Sequence, residues 1–266
     1  MSEKVRLGGM ALANGVLVHG PRAWACAVRT ADGELKVVAR RKTLRAADIT
    51  NPILRGPAKL AEVFILLPQV KRALPEAKLP MERPRVLASM FGSAVVLQGL
   101  RRSSLRPVAR ELLSGLLSLA PAALALGGGE LAAYHGAEHM SIGTYEHGES
   151  RPKEHERCGS HLVGPMLLTT AAGNLVAGHA AERLRPAAKA AAAIGAVVVS
   201  TEIFGWMGRH PAHPLARALA KPGHALQHRL GTREPSAEQL EVAEAALRAC
   251  LALEDQGVLE GEGARG

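Results

Sequence analysis

Aromatic residues are the first scarcity: three Phe, two Trp and two Tyr make up 3% of a 266-residue chain. So few rings leave little surface for stacking unpaired bases, and no recognised nucleic-acid motif compensates. The net charge of +9 is therefore read as solubility or attraction to an anionic membrane face, not as a nucleic-acid footprint. Cysteine is nearly as rare. Cys26, Cys158 and Cys250 are odd in number and far apart. That excludes a disulfide framework and fits a reducing compartment, or a membrane protein facing one. The opening stretch MSEKVRLGGM has no apolar core long enough for a signal peptide. The Gly-rich stretches LGGM and GGGE lack a phosphate loop's Lys-Ser/Thr ending, so nucleotide binding has little support.

What is present is small and apolar. The 47% hydrophobic fraction is mostly Ala, Leu and Val, a composition suited to helices packed closely through small side chains. Residues 5–45 differ from the rest: they alternate, favour Val and are broken by Gly and Pro, and ADGEL centres an Asp-Gly hairpin turn. From Asn51 the pattern turns helical. The runs Leu87–Leu100, Leu112–Gly129 and Cys158–Ala181 carry no charge, and Ala190–Trp206 carries only Glu202. A membrane span needs about 20 mostly apolar residues. Some runs are short, and the mean hydropathy of +0.05 is low for a chain dominated by spans. A soluble Ala-rich bundle would share these features. The small-residue spacing and full charge-free length of the third run tip the balance towards membrane.

The expected fold is therefore α+β. A small N-terminal antiparallel sheet (1–50) precedes a mainly helical, membrane-embedded bundle (51–252) and a disordered tail (253–266). The expectation places the chain in the cell membrane as a multi-pass protein in contact with lipids. The sheet domain, followed by Arg40, Arg41, Lys42 and Arg45, would face the cytoplasm. Near the end, Ser236 and Gln239 form a capping-box pattern. Leu240, Ala243, Leu247 and Leu251 then trace the stripe of a surface amphipathic helix.

The chemistry concentrates in YHGAEHMSIGTYEHGE, Tyr134–Glu149. On a helix, His135 and His139 lie one above the other and can give one ring nitrogen each to a single Zn²⁺. Glu138 sits beside them, completing His-x-x-Glu-His, the inverted form of the His-Glu-x-x-His zinc motif, in which the glutamate takes a proton from water. A third ligand is required. Glu202, a lone carboxylate in an apolar run, is the first candidate, because burial without a partner is costly. The alternatives are His155 and Cys158, which share KEHERCGSH with His161. Five of the eleven histidines fall between His135 and His161. The bland account is a polar helix end for His135 and His139, and for Glu202 an ion pair with a base such as Arg209. Cys158 as a nucleophile lacks an orienting third group.

The blocks GGMALANGVLVHGPRAWACAVRTADGEL, NPILRGPAKLAE, YHGAEHMSIGTYEHGE, HERCGSHL and PGHALQHRLGTREPSAEQLEVAEAAL together resemble the bacterial YqhQ-like family. It is a domain of unknown function (1385), described as containing predicted metal-dependent enzymes. The resemblance implies a multi-pass membrane protein. It also marks, beside His135, Glu138, His139, His155, Cys158 and Glu202, the residues Tyr145, Glu146 and Arg157, and Arg233, Glu234 and Pro235 in the TREP block. Met10, Asn14, His19, Met140 and Glu156 depart from the family's usual residues.

The expected function is a metal-dependent membrane enzyme, a peptidase-like zinc hydrolase acting on a protein or peptide. Glu138 would be the base, and His135, His139 and Glu202 the ligands. His155, Cys158, Glu146 and Arg157 would be further ligands or their supports. The alternative is a non-catalytic membrane adaptor whose metal site is structural.

Overall fold

The computed structural model describes residues 4–118, 120–126 and 129–263. Four strands, β1 (Gly8–Leu12), β2 (Gly15–His19), β3 (Ala23–Arg29) and β4 (Leu35–Arg41), form an antiparallel meander in chain order. Gly33, with φ +83°, makes the expected β3–β4 turn, where a side chain would be strained. Strand β3 shows the period of two that a doubly covered sheet needs: Ala23, Ala25 and Ala27 face one way, and Trp24, Cys26 and Val28 the other, all fully buried.

Helices cover both faces. The alanine face is shallow and admits α5 (Glu130–His147) and α9 (Ala237–Gly263). The opposite face packs on the C-terminal half of α1 (Pro52–Ala73) through Leu66, Leu67 and Val70. The segment expected as a domain of its own thus shares its core with helices far along the chain. The last helix also differs from its expected surface role. Val242, Ala243, Ala246 and Cys250 are completely buried against the sheet, while Leu240 and Leu251 lie at the margin. The capping box is present: Gln239 N donates to Ser236 Oγ (3.3 Å), and Ser236 N to Gln239 Oε1 (2.9 Å). The helix continues to Gly263, through most of the segment expected to be disordered. Residues 264–266 lie outside the described residues.

The remaining helices are α2 (Pro84–Arg101), α3 (Pro107–Ser118), α4 (Ala120–Leu126), α6 (Val163–Gly178), α7 (Arg185–Arg209) and α8 (Pro214–Leu226). Several leave large apolar side chains uncovered, including Phe91 (73% exposed), Val95 (69%) and Val176 (74%), and α1 does the same at Phe64 (69%). Among the described residues one helical stretch, Glu182–Arg209, is long and apolar enough to cross a membrane, and little of it is buried. The other charge-free runs fall on shorter helices. Close packing of α1 on α7 depends on Gly56, where a Cβ would stand 1.9 Å from Thr201 Oγ1.

Candidate metal centre

Helix α5 stops at Gly148, which takes the left-handed C-terminal position with φ +78°. The helix is held between sheet and α9, so the face carrying Glu138 and His139 is buried. Glu138 presses against β1 so closely that a Cβ on Gly9 would lie 2.4 Å from Glu138 Oε1.

Two backbone carbonyls fix the imidazoles. His135 Nδ1 lies 2.7 Å from the Gly231 oxygen and His139 Nδ1 lies 2.6 Å from the Lys153 oxygen. A carbonyl only accepts, so both Nδ1 atoms carry the proton and both Nε2 atoms present lone pairs. The Nε2 atoms turn towards common ground with Cys158. Single ligand atoms of His135, His139 and Cys158 all lie within 4.8 Å of one another. Cys158 Sγ is 3.5 Å from His135 Nε2. Zinc bond lengths at a tetrahedral angle give an N···S separation of roughly 3.5 Å. Glu138 Oε2 stands 3.8 Å from His135 Nε2 and 3.9 Å from His139 Nε2.

Burial sets the protonation of this group. It pushes the Glu138 carboxyl above the usual carboxylate range, opposed by His135 and His155. It pushes His139 down to about 2, helped by His135, and the Cys158 thiol up to about 11, helped by Glu138. Burial thus drives these groups towards their neutral forms, and a divalent cation would reverse that preference for the thiol and the carboxyl. A thiol with so high a pKa is a poor nucleophile on its own.

The other candidates fall into place around this cluster. His155 Nε2 pairs with Glu146 Oε2 at 3.1 Å, and its Nδ1 accepts from Arg157 N at 3.3 Å. With both nitrogens engaged, His155 is a neighbour of the cluster, its ring 5.5 Å from that of His139. Arg157 closes on Glu146 as an ion pair. Tyr145 Oη accepts from Val5 N at 3.1 Å, tying the N-terminal segment to α5. Glu202 is elsewhere. It pairs with Arg55 on α1, Arg55 Nε donating to Oε1 at 2.5 Å. The expected partner type was right in the ion-pair account, but the base is Arg55 and not Arg209. The structure therefore groups His135, His139, Glu138 and Cys158, and leaves Glu202 out.

Three contributors have no signal in the sequence motif. Gly9 makes room for Glu138. Gly136 lets the chain at 231–233 approach, since a Cβ there would lie 2.1 Å from the Arg233 oxygen. Gln227, at the start of a π-helical turn (Gln227–Gly231), accepts from His155 N (2.9 Å) and donates to Ser160 Oγ (2.7 Å), pinning the loop that carries Cys158. Of the departures from the resembled family, Asn14 bonds the backbone of Arg29, Glu76 and Lys78, and His19 meets Lys42, both away from the cluster.

Residues 130–253 match a family model described as a protein of unknown function (DUF1385). The match starts with α5 and contains all four clustered side chains. No curated protein and no solved structure matches the chain.

Proposed function

Because the chain belongs to the DUF1385 family through residues 130–253, a family without an assigned function, we propose its function from the cluster itself: a membrane-associated, metal-dependent hydrolase of peptidase type. His135, His139 and Cys158 hold Zn²⁺, and Glu138 is the general base. One observation carries this reading: two imidazoles with their N–H groups locked onto carbonyls bring Nε2 lone pairs to a thiol and a carboxylate. Electron-rich atoms gathered in this way are stabilised by a cation.

Zinc, when bound, supplies the Lewis acidity that makes hydrolysis feasible at neutral pH. The chain supplies the rest. Glu138 Oε2 accepts a proton from the attacking water and delivers it to the leaving nitrogen as the amide C–N bond breaks. The carbonyls of Gly231 and Lys153 hold both imidazoles in the required tautomer throughout. The membrane part rests on Glu182–Arg209 and on the uncovered apolar faces of α2, α3 and α6. In this proposal those faces meet lipid, as further membrane-embedded helices.

Elemental analysis of the purified protein tests the site. We expect about one zinc per chain in the wild type, its loss in His139→Ala, and retention in Glu202→Gln. Folded wild type that stays zinc-free after incubation with zinc would sink the reading. A second reading, a closed structural site, draws on Glu138 Oε2 standing near enough to both Nε2 atoms to be a fourth ligand. Glu138→Gln separates the two. It keeps zinc affinity and abolishes hydrolysis if Glu138 is the base, and it weakens zinc binding if Glu138 is a ligand.

A further inference from the structure

Beside the cluster lies a cavity of about 1610 Å³, well above the roughly 300–1,000 Å³ of ordinary small-molecule pockets. Its wall carries six cationic side chains, Lys4, Arg6, Arg151, Arg157, Arg217 and Lys221, against three carboxylates. The carboxylates are already engaged: Glu146 with Arg157, Glu154 with Lys153, and Glu156 near Arg151. Arg6, Arg217 and Lys221 have no carboxylate partner among the described residues. Arg217 and Lys221 stand one turn apart on α8, where like charges repel.

His161 also lines the cavity, at 5% exposure. The cavity reaches the cluster through His155, which lines it. Its far wall includes Met207 and Gly208, at the C-terminal end of Glu182–Arg209, the stretch that is long and apolar enough to span a membrane among the described residues. A site at that level, with guanidinium groups and apolar walls of Val5, Met207 and Ala220, suits a phosphate on a larger apolar body.

We infer that this cavity binds a phosphate-bearing ligand, with Arg6, Arg217 and Lys221 as its principal phosphate contacts. The phosphate comes from a lipid headgroup or from a soluble phosphate ester. That the ligand is the substrate of the neighbouring cluster rests on the proposed metal centre; that the cavity binds phosphate does not.

The test is calorimetric titration of the full-length, zinc-loaded protein in a non-ionic detergent. The probes are dihexanoyl phosphatidic acid and inorganic phosphate. Arg217 and Lys221 are exposed, so the double variant Arg217→Gln/Lys221→Gln should fold normally. Saturable binding of the short-chain lipid, weakened about tenfold or more in the double variant, is the expected result. Lipid binding without phosphate binding assigns the headgroup as the source. Comparable binding of both assigns the soluble ester. No binding of either, or equal binding by wild type and double variant, overturns the inference. Cys158→Ser, with zinc lost and lipid binding kept, would show the cavity to stand even if the hydrolase reading falls.

Discussion

Gly136 is the position where the smallest change should reach the cluster. It separates His135 from the next residues of the motif by nothing more than a hydrogen, and the Arg233 carbonyl occupies the space a methyl would need. Gly136→Ala must push the 231–233 segment outward, taking with it the Gly231 carbonyl that orients His135. We expect zinc affinity to fall about 10–100-fold, as for other lost supports of a metal ligand, with a stability cost of about 1–3 kcal/mol. Unchanged zinc affinity in a competition titration would refute the positioning role of that carbonyl. Away from the cluster, Lys42 and Glu62 form a buried pair at 2.7 Å, with His19 Nδ1 accepting from Lys42 at 3.0 Å. Lys42→Met strands Glu62 and should cost about 3–5 kcal/mol in urea denaturation. Burial, and then Lys42, hold His19 down at about 3 from 6.5. The unfolded chain binds the extra proton first, so His19 contributes stability above pH 6.5 that is lost as pH falls towards 3. His19→Gln should flatten the decline in stability between pH 6.5 and 4; an identical decline would refute it. At this scale the motif was legible because His135, Glu138 and His139 share one helix and need only its period. Cys158 was visible as one alternative of three. Glu202 misled because a lone carboxylate in an apolar run announces a need for a partner without naming it, and Arg55 lies 147 residues away. Backbone carbonyls, which hold both imidazoles, carry no residue type to find.

Among elements, α9 departs furthest from its sequence pattern, and Glu254 explains why. Composition alone places it in a polar, Gly-rich end with too little apolar surface to order itself. In the fold its side chain is 3% exposed, and Oε1 accepts from Arg22 N (2.8 Å) and Ala23 N (2.7 Å) at the start of β3. Those two donors sit on a turn that the sheet leaves unpaired, so the helix is extended by a tertiary anchor that no local pattern encodes. Glu254→Ala removes the acceptor and should cost about 1–3 kcal/mol, whereas Glu254→Gln keeps one oxygen and should cost less. Equal urea midpoints for wild type and Glu254→Ala would remove the anchor. The sheet itself was legible, since alternation and Asp32-Gly33 specify strands and a hairpin locally. Its two helical covers were not, because the alanine face of β3 invites close packing without saying which helix supplies it.

For the whole molecule, the question is what meets the apolar side chains that the fold leaves open. An Ala-rich run looks the same whether it is destined for a bundle core or for lipid, and the sequence could not separate the two. The fold separates them in part. The apolar residues of α5 and α9 are consumed by the sheet, whereas Ile194 and Val199 on α7 remain 64% and 48% exposed. Ile194 therefore distinguishes the alternatives in a single substitution. If α7 lies in lipid, Ile194→Asp places a charge near the middle of the helix, where it costs about 2.5–3.5 kcal/mol, and the protein should fail to integrate and become extractable from membranes by alkaline carbonate. If α7 faces water, the same change falls at an exposed position, where substitutions stay within about 0.5 kcal/mol, and the yield of soluble protein holds or rises. The first outcome would place the cavity at the end of α7 at headgroup depth, with its uncompensated arginines facing the lipid phosphates. The second would detach the cavity from the membrane and leave a soluble phosphate ester as its ligand.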